Sequence, residues 1–275
     1  MHPNLFFPWL HTYGLMMAIG VYAGWWLAAR RARAEGISTD LVGDIVLVSI
    51  IAGIVGSRLL WFILERDPKQ PWYVFFQVWE GGLVFYGGLV GGVVADLAYL
   101  RLKRQEILRV GDVLAPSASL GQAFGRIGCF LHGCCFGGLA SPGFLLGVRF
   151  PPFFQGRDLI GSPPFRYQVD WKLIPDNAAA SLPVHPTQLY TSFGLFTITL
   201  LLIAATPLKK RHGEVLALYC MLHGVTRFAV ELVRRDTAPV VLGLKAGQIG
   251  AIVVFLTGAV LLAWLRRRGK PIPAS

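Results

Sequence analysis

Apolar residues in this chain gather into seven long runs separated by short polar or charged stretches, rather than alternating residue by residue as strands would. The runs lie near Tyr13 to Ala29, Leu41 to Leu64, Leu83 to Leu100, Val113 to Leu131, Thr187 to Thr206, Glu214 to Leu232 and Ala246 to Leu265. Crossing a hydrocarbon core of about 30 Å takes about 20 residues of helix, and these runs approach or reach that length. Backbone groups inside lipid must be satisfied within their own segment, so the pattern predicts helices. The expected fold is an all-α integral membrane protein of about seven transmembrane helices. The fourth and sixth runs are the least regular, because each contains an arginine. One long interruption, Phe136 to Pro186, is rich in Pro, Gly and aromatic residues and predicts a small cap or lid within a single membrane domain spanning residues 1–275.

Composition agrees with that class. Hydrophobic residues make up 54% of the 275 and charged residues only 15%, too apolar for a soluble domain of this length. The net charge of +11 would suit nucleic acid if the basic residues shared one solvated face. Instead they flank the apolar runs. Alternating sides places 14 Lys and Arg on one side (Arg30, Arg31, Arg33; Arg101, Lys103, Arg104, Arg109; Lys209, Lys210, Arg211; Arg266, Arg267, Arg268, Lys270). The other side receives nine, namely Arg66, Lys69, Arg149, Arg157, Arg166, Lys172, Arg234, Arg235 and Lys245. The positive-inside rule then sets the N-terminus outside, the C-terminus in the cytoplasm and the cap outside, and it excludes a nucleic-acid partner. Met1 to His11 carries no Lys or Arg and ends in no small-residue cleavage site, so it reads as an outer lead-in to an uncleaved first helix.

Three arginines, Arg58, Arg126 and Arg227, remain inside the runs, where a charge is costly unless paired or solvated. His223, Arg227, Glu231 and Arg234 fall on one stripe roughly 80° wide at about 100° per residue. A structural Arg227–Glu231 pair accounts for part of that stripe. Depth adds a second reading. Arg126 and Arg227 each sit 13 residues into their run, roughly 20 Å from the inner boundary, and Tyr86 enters from outside to a depth of roughly 5 Å. Two arginines at similar depth repel unless an anion lies between them, and the anion native to that depth is a lipid phosphate. Glycines crowd Tyr86 (Gly81, Gly82, Gly87, Gly88, Gly91, Gly92) and Arg126 (Gly121, Gly125, Gly128, Gly133), which suits close helix packing and also leaves room for a ligand.

Several motifs occur in one order along nearly the whole chain. They are Tyr13-Gly-Leu15, Gly56-x-Arg58, Gly81-Gly-Leu-Val-Phe-Tyr-Gly-Gly88 and, after Asp112 and Pro116, Gly125-Arg-Ile-Gly-Cys-Phe-Leu-His-Gly-Cys-Cys-Phe-Gly137. His185-Pro-Thr-Gln-Leu-Tyr190, Gly224-x-x-Arg-Phe-x-x-Glu-x-x-Arg234 and Gly247-Gln248 follow. In this set the chain resembles the prolipoprotein diacylglyceryl transferases of bacterial inner membranes. The resemblance implies transfer of a diacylglyceryl group from phosphatidylglycerol to the lipobox cysteine thiol of a prolipoprotein signal peptide, with release of glycerol phosphate and no cofactor. It implies catalytic roles for Arg126, Arg227, His223 and Tyr86, and substrate-binding roles for Arg58, Gly137, His185, Gln188, Tyr190, Glu231 and Arg234. Membrane lipids are the surrounding partners.

This chain also departs from the family pattern. The signature's first Asn is Cys129 here, its second Asn is His132 and its Glu is Cys134, while the usual His of the third run is Tyr86 and the usual Tyr of the sixth is His223. The last two resemble an exchange of one imidazole and one phenol, with His223 taking the role of base. Cys129, Cys134 and Cys135 fit small-residue packing, an outer-side disulfide or, with His132 and His185, a metal site. Their spacing follows no familiar zinc pattern, and no metal is expected. Cys220 reads as an inert residue that faces the membrane or packs. Alternatives to the transferase are a paralogue with another lipid donor or acceptor, and a transporter for anionic lipid or small anions.

Overall fold

The computed structural model describes residues 12–67, 69–141, 143–152, 154–155, 158–159, 162–234, 239–269 and 272. The lead-in from Met1 to His11 and the basic residues Arg157, Arg235 and Lys270 lie outside the described residues. A helix stands at each of the seven apolar runs: α1 (Thr12–Ala34), α2 (Thr39–Leu64), α3 (Phe85–Leu102), α4 (Ile107–His132), α6 (Thr187–Ala205), α7 (Glu214–Val233) and α8 (Ala246–Arg268). A short helix, α5 (Pro163–Asp170), lies in the long interruption. Among the described residues, five helices are long and apolar enough to cross a membrane: α2, α3, α6 with its 3-10 extension to Leu208, α7 and α8. The protein is an all-α, multi-pass membrane protein in class. Helix α4 carries Arg109, Asp112 and Arg126 and buries Ser117 and Ser119, so it belongs to the interior more than to lipid. Two small antiparallel hairpins were not foreseen, Phe154–Gln155 with Asp158–Leu159 and Pro239–Val241 with Leu244–Lys245. Pieces of two or three residues leave no readable period.

The chain divides into two compact units, residues 25–113 and residues 1–24 with 114–275. In the first, α2 and α3 meet along a glycine seam. A Cβ on Gly56 would collide with the Gly87 carbonyl oxygen, and one on Gly91 would approach that of Ala52 to 2.7 Å. Only glycine lets the backbones come this near, and in lipid such close packing replaces the hydrophobic drive. Ser49 donates to Asp96 across the same pair of helices, at 2.6 Å.

In the second unit, Ala115, Ala123, Leu195, Ile198, Leu202 and Val215 form a buried core between α4, α6 and α7. Serines bind across it. Ser119 donates to the Leu195 carbonyl at 2.8 Å and Ser192 to that of Ala123 at 3.0 Å. The first half of α1 packs on α4 through Gly20 and Gly121, and α8 packs on α7 through Gly258, whose added Cβ would meet the Cys220 Cβ at 2.8 Å. Cys220 therefore sits in a helix seam. The segment between α4 and α6 has its own small core, in which Phe150 and Phe165 are fully buried. Gln168 fastens it by accepting from the Leu182 N–H at 2.7 Å.

Candidate active site

The second unit gathers most of the polar residues singled out by sequence. Helix α4 supplies Arg126 and Cys129 and ends at Gly133, whose φ of 86° suits glycine and turns the chain out of the helix. Cys135 also takes a left-handed φ, 59°, which is costly for a residue with a side chain. Neighbouring hydrogen bonds hold it there. Thr187 Oγ1 donates to the Cys135 carbonyl at 2.7 Å, and Gln188 Nε2 donates to that of Cys134 at 2.6 Å. Gly137 and His185 then pair: Gly137 N donates to His185 O at 2.9 Å, and His185 N donates to Gly138 O at 3.0 Å. A Cβ on Gly137 would lie 2.8 Å from both His185 Cβ and Thr187 Cγ2, so this approach requires glycine. The His185 ring reaches the Tyr190 hydroxyl at 3.2 Å.

Helix α7 brings the charged stripe to the same region, with Gly138 N donating to Val233 O at 3.0 Å. Glu231 is fully buried, and its Oε2 lies 2.8 Å from Arg227 Nη2 and 3.9 Å from Arg234 Nη1. The structural pair suggested by the spacing of four is thus present. Lys245 caps the end of α7 by donating to the carbonyls of Glu231 and Arg234, where the helix dipole favours a cation. Gly247 presses against the pair; a Cβ there would come within 2.6 Å of Glu231 Oε2 and 2.8 Å of Arg227 Nη2.

His223 lies one turn before Arg227 and feels the charges of both Arg126 and Arg227. Its Nδ1 is buried with no hydrogen-bond partner among the described residues, and its ring packs at 5.5 Å on Tyr219. Gln122 Nε2 donates to the Tyr219 hydroxyl at 2.7 Å. Tyr219 continues the same stripe one turn earlier, so its spacing from His223 was the available signal for it. Arg126, by contrast, has no hydrogen bond and no carboxylate partner among the described residues. Its charge falls on Tyr13, Cys129, Cys135 and His223. The sulfur atoms of Cys129, Cys134 and Cys135 all lie within 4.8 Å of one another. Thiol hydrogen bonds from Cys129 and Cys134, with the charges of Arg126 and Arg234, draw the Cys135 thiol below its ordinary range. His132 is exposed, its ring 6.2 Å from that of Tyr13.

Arg58 and Tyr86 belong to the other unit. Arg58 is buried, and its guanidinium donates to the carbonyls of Phe75 (2.9 Å), Gly81 (2.5 Å), Gly82 (3.1 Å), Gln77 (3.2 Å) and Val74. Trp61 lies against its face at 4.1 Å. This trap fixes the 3-10 turns that lead into α3. Tyr86 stands in the first turn of α3, exposed, in edge contact with Phe85 at 5.8 Å.

Residues 5–264 match the family model of the prolipoprotein diacylglyceryl transferases. The chain belongs to this family. It is 31% identical over 250 residues to a protein of Clostridium tetani, covering 90% of each chain. It is 32% identical over 282 aligned positions to one of Xylella fastidiosa, covering 96% of this chain and 92% of the other. A Bacillus licheniformis relative is 29% identical over 268 residues, covering 96% of this chain and 91% of its own. All three are named phosphatidylglycerol–prolipoprotein diacylglyceryl transferase.

Proposed function

We propose that the protein transfers the diacylglyceryl group of phosphatidylglycerol to the lipobox cysteine of prolipoprotein signal peptides. It does so in the bacterial inner membrane, with seven spans, its N-terminus outside and its C-terminus in the cytoplasm. The observation that carries this reading is Arg126, an arginine inside a membrane protein that has no acidic partner among the described residues and whose charge falls on His223 together with that of Arg227, which a buried glutamate holds in place. A guanidinium so placed calls for an anion, and its planar fork suits phosphate.

In the reaction the substrate thiol loses its proton, its sulfur forms a bond to the terminal glyceryl carbon, and the carbon–oxygen bond to phosphate breaks. The bonding pair leaves on the phosphate oxygen of glycerol phosphate. Negative charge grows on that oxygen in the transition state, so Arg126 and Arg227 stabilise it more than the ground state. Glu231, with Arg234, orients Arg227. His223, with a buried ring nitrogen, accepts the thiol proton. Arg58 binds the lead-in to α3, while Gly137, His185, Gln188 and Tyr190 shape the loop that follows Arg126.

The test supplies purified protein with phosphatidylglycerol vesicles and a lipobox peptide. Release of glycerol phosphate together with a diacylglyceryl mass increase on the peptide supports the reading. Movement of lipid or anion across the vesicle without chemistry would replace it with transport. Topology is checked separately. A reporter active only in the cytoplasm works after Ser275 and fails before Met1; the opposite result reverses the assignment.

A further inference from the structure

Three half-buried thiols converge just beyond Arg126, and the transferase reading gives them no role. Their sulfur atoms all lie within 4.8 Å of one another. Three thiolates around one zinc at about 2.3 Å would stand about 3.8 Å apart at tetrahedral angles, so closing the triangle requires shifts of about 1 Å or less. The backbone that carries them is fixed. Cys134 N–H donates to Cys129 O at 3.1 Å, the carbonyls of Cys134 and Cys135 are held by Gln188 and Thr187, and Cys135 keeps a left-handed φ that an unsupported loop would relax.

Charge selects the class of ligand. Arg126 and Arg234 both act on this cluster and would repel a cation held by neutral groups. Three thiolates with one divalent cation carry a net charge of −1, which those arginines favour. Hard cations prefer oxygen, so a thiophilic ion is required, and zinc combines that affinity with redox inertness.

We propose that Cys129, Cys134 and Cys135 form a three-thiolate zinc site whose fourth position takes the thiol of the prolipoprotein substrate. The second half of this statement rests on the transferase reading. Three protein ligands and one open position mark catalytic rather than structural zinc. A thiol bound there loses its proton, and the resulting zinc-bound thiolate forms the carbon–sulfur bond as glycerol phosphate departs with the electron pair of the broken carbon–oxygen bond. His223 remains the acceptor that carries the proton away.

The experiment begins with reduced, full-length protein in detergent, incubated with zinc and desalted. About one zinc per chain is expected, with X-ray absorption at the zinc edge showing three sulfur neighbours at about 2.3 Å. Cobalt in its place should give a thiolate charge-transfer band. Cys129→Ser and Cys134→Ser should lose most of the bound metal, and Cys220→Ser should keep it. Wild-type protein that binds no zinc and gives no cobalt band, or that recovers two hydrogens lighter because two thiols have joined as a disulfide, overturns the site. If such zinc-free protein still releases glycerol phosphate, the transferase reading survives alone. Zinc bound to three sulfurs in a protein that performs no transfer overturns that reading and the substrate position, leaving the metal site. Full transfer by chelator-stripped protein also overturns the substrate position. Loss with chelator and recovery with zinc supports it.

Discussion

Arg58 and Arg126 face the same physical problem, a guanidinium in a protein whose solvent is lipid, and meet it in opposite ways. Five backbone carbonyls and a tryptophan face surround Arg58, so its donors are spent within the fold. Arg126 has no such partners among the described residues, and Arg227 stands between the two extremes, tied at 2.8 Å to a buried carboxylate. A satisfied guanidinium builds structure, whereas one placed at similar cost and left open is available to a ligand. Motif membership alone does not separate these roles, because all three arginines belong to the matching pattern.

The sharpest way to break this contrast is Arg126→Ala. Transfer should fall by about a thousandfold, the scale of losing an electrostatic donor in the transition state, while the melting temperature stays near wild type. Arg126→Lys should also lose most activity, since an ammonium cannot form the planar two-point contact. Wild-type turnover by the Ala variant would erase the distinction. Arg227→Ala should differ by striking rate and stability together, because it takes the nearer cation from the buried Glu231 carboxylate at a cost of about 3 kcal/mol. Adding Glu231→Gln should return much of the melting temperature and none of the transfer; recovery of transfer would make Arg227 merely structural.

Arg58→Ala should show the reverse profile, a lower melting temperature from several buried carbonyls left unpaired at about 1–3 kcal/mol each. Transfer per folded molecule should change little, and a loss comparable to that of Arg126→Ala at unchanged stability would place Arg58 on the substrate. The imidazole–phenol exchange gives a finer test. His223→Ala should lose most activity, and Tyr86→His with His223→Tyr should recover more than either single change. No gain from the pair would send the search for a base elsewhere. Gly137→Ala should have the smallest effect, about 1–3 kcal/mol of stability from crowding His185 and Thr187.

Much of this was legible because lipid imposes simple rules. Runs of about 20 apolar residues located seven helices, and a spacing of four announced the Arg227–Glu231 pair. The spacing rule also reaches Tyr219, which precedes His223 by four, but it does not show the partner, Gln122, which lies on another helix. Arg58's environment was beyond pattern reading, since carbonyls carry no residue identity and only the three-dimensional course of residues 74–82 aims them at one side chain. The convergence of Cys129, Cys134 and Cys135 was half visible in their proximity along the chain. The left-handed turn at Cys135 was not, because its supports lie on α6.

Those supports make the site a late product of synthesis. Thr187 and Gln188 lie 52 and 54 positions beyond the carbonyls they hold, and Glu231 and Lys245 come later still. As the chain emerges from its N-terminal end, α4 can form with Arg126 in place long before the loop after it has a reason to keep its shape. A chain ending before Thr187 would carry the arginine and all three clustered thiols without the geometry that joins them. Full-length completion is therefore a built-in safeguard, because an interrupted product has Arg126 and the thiols but neither the arrangement that joins them nor Arg227 and His223.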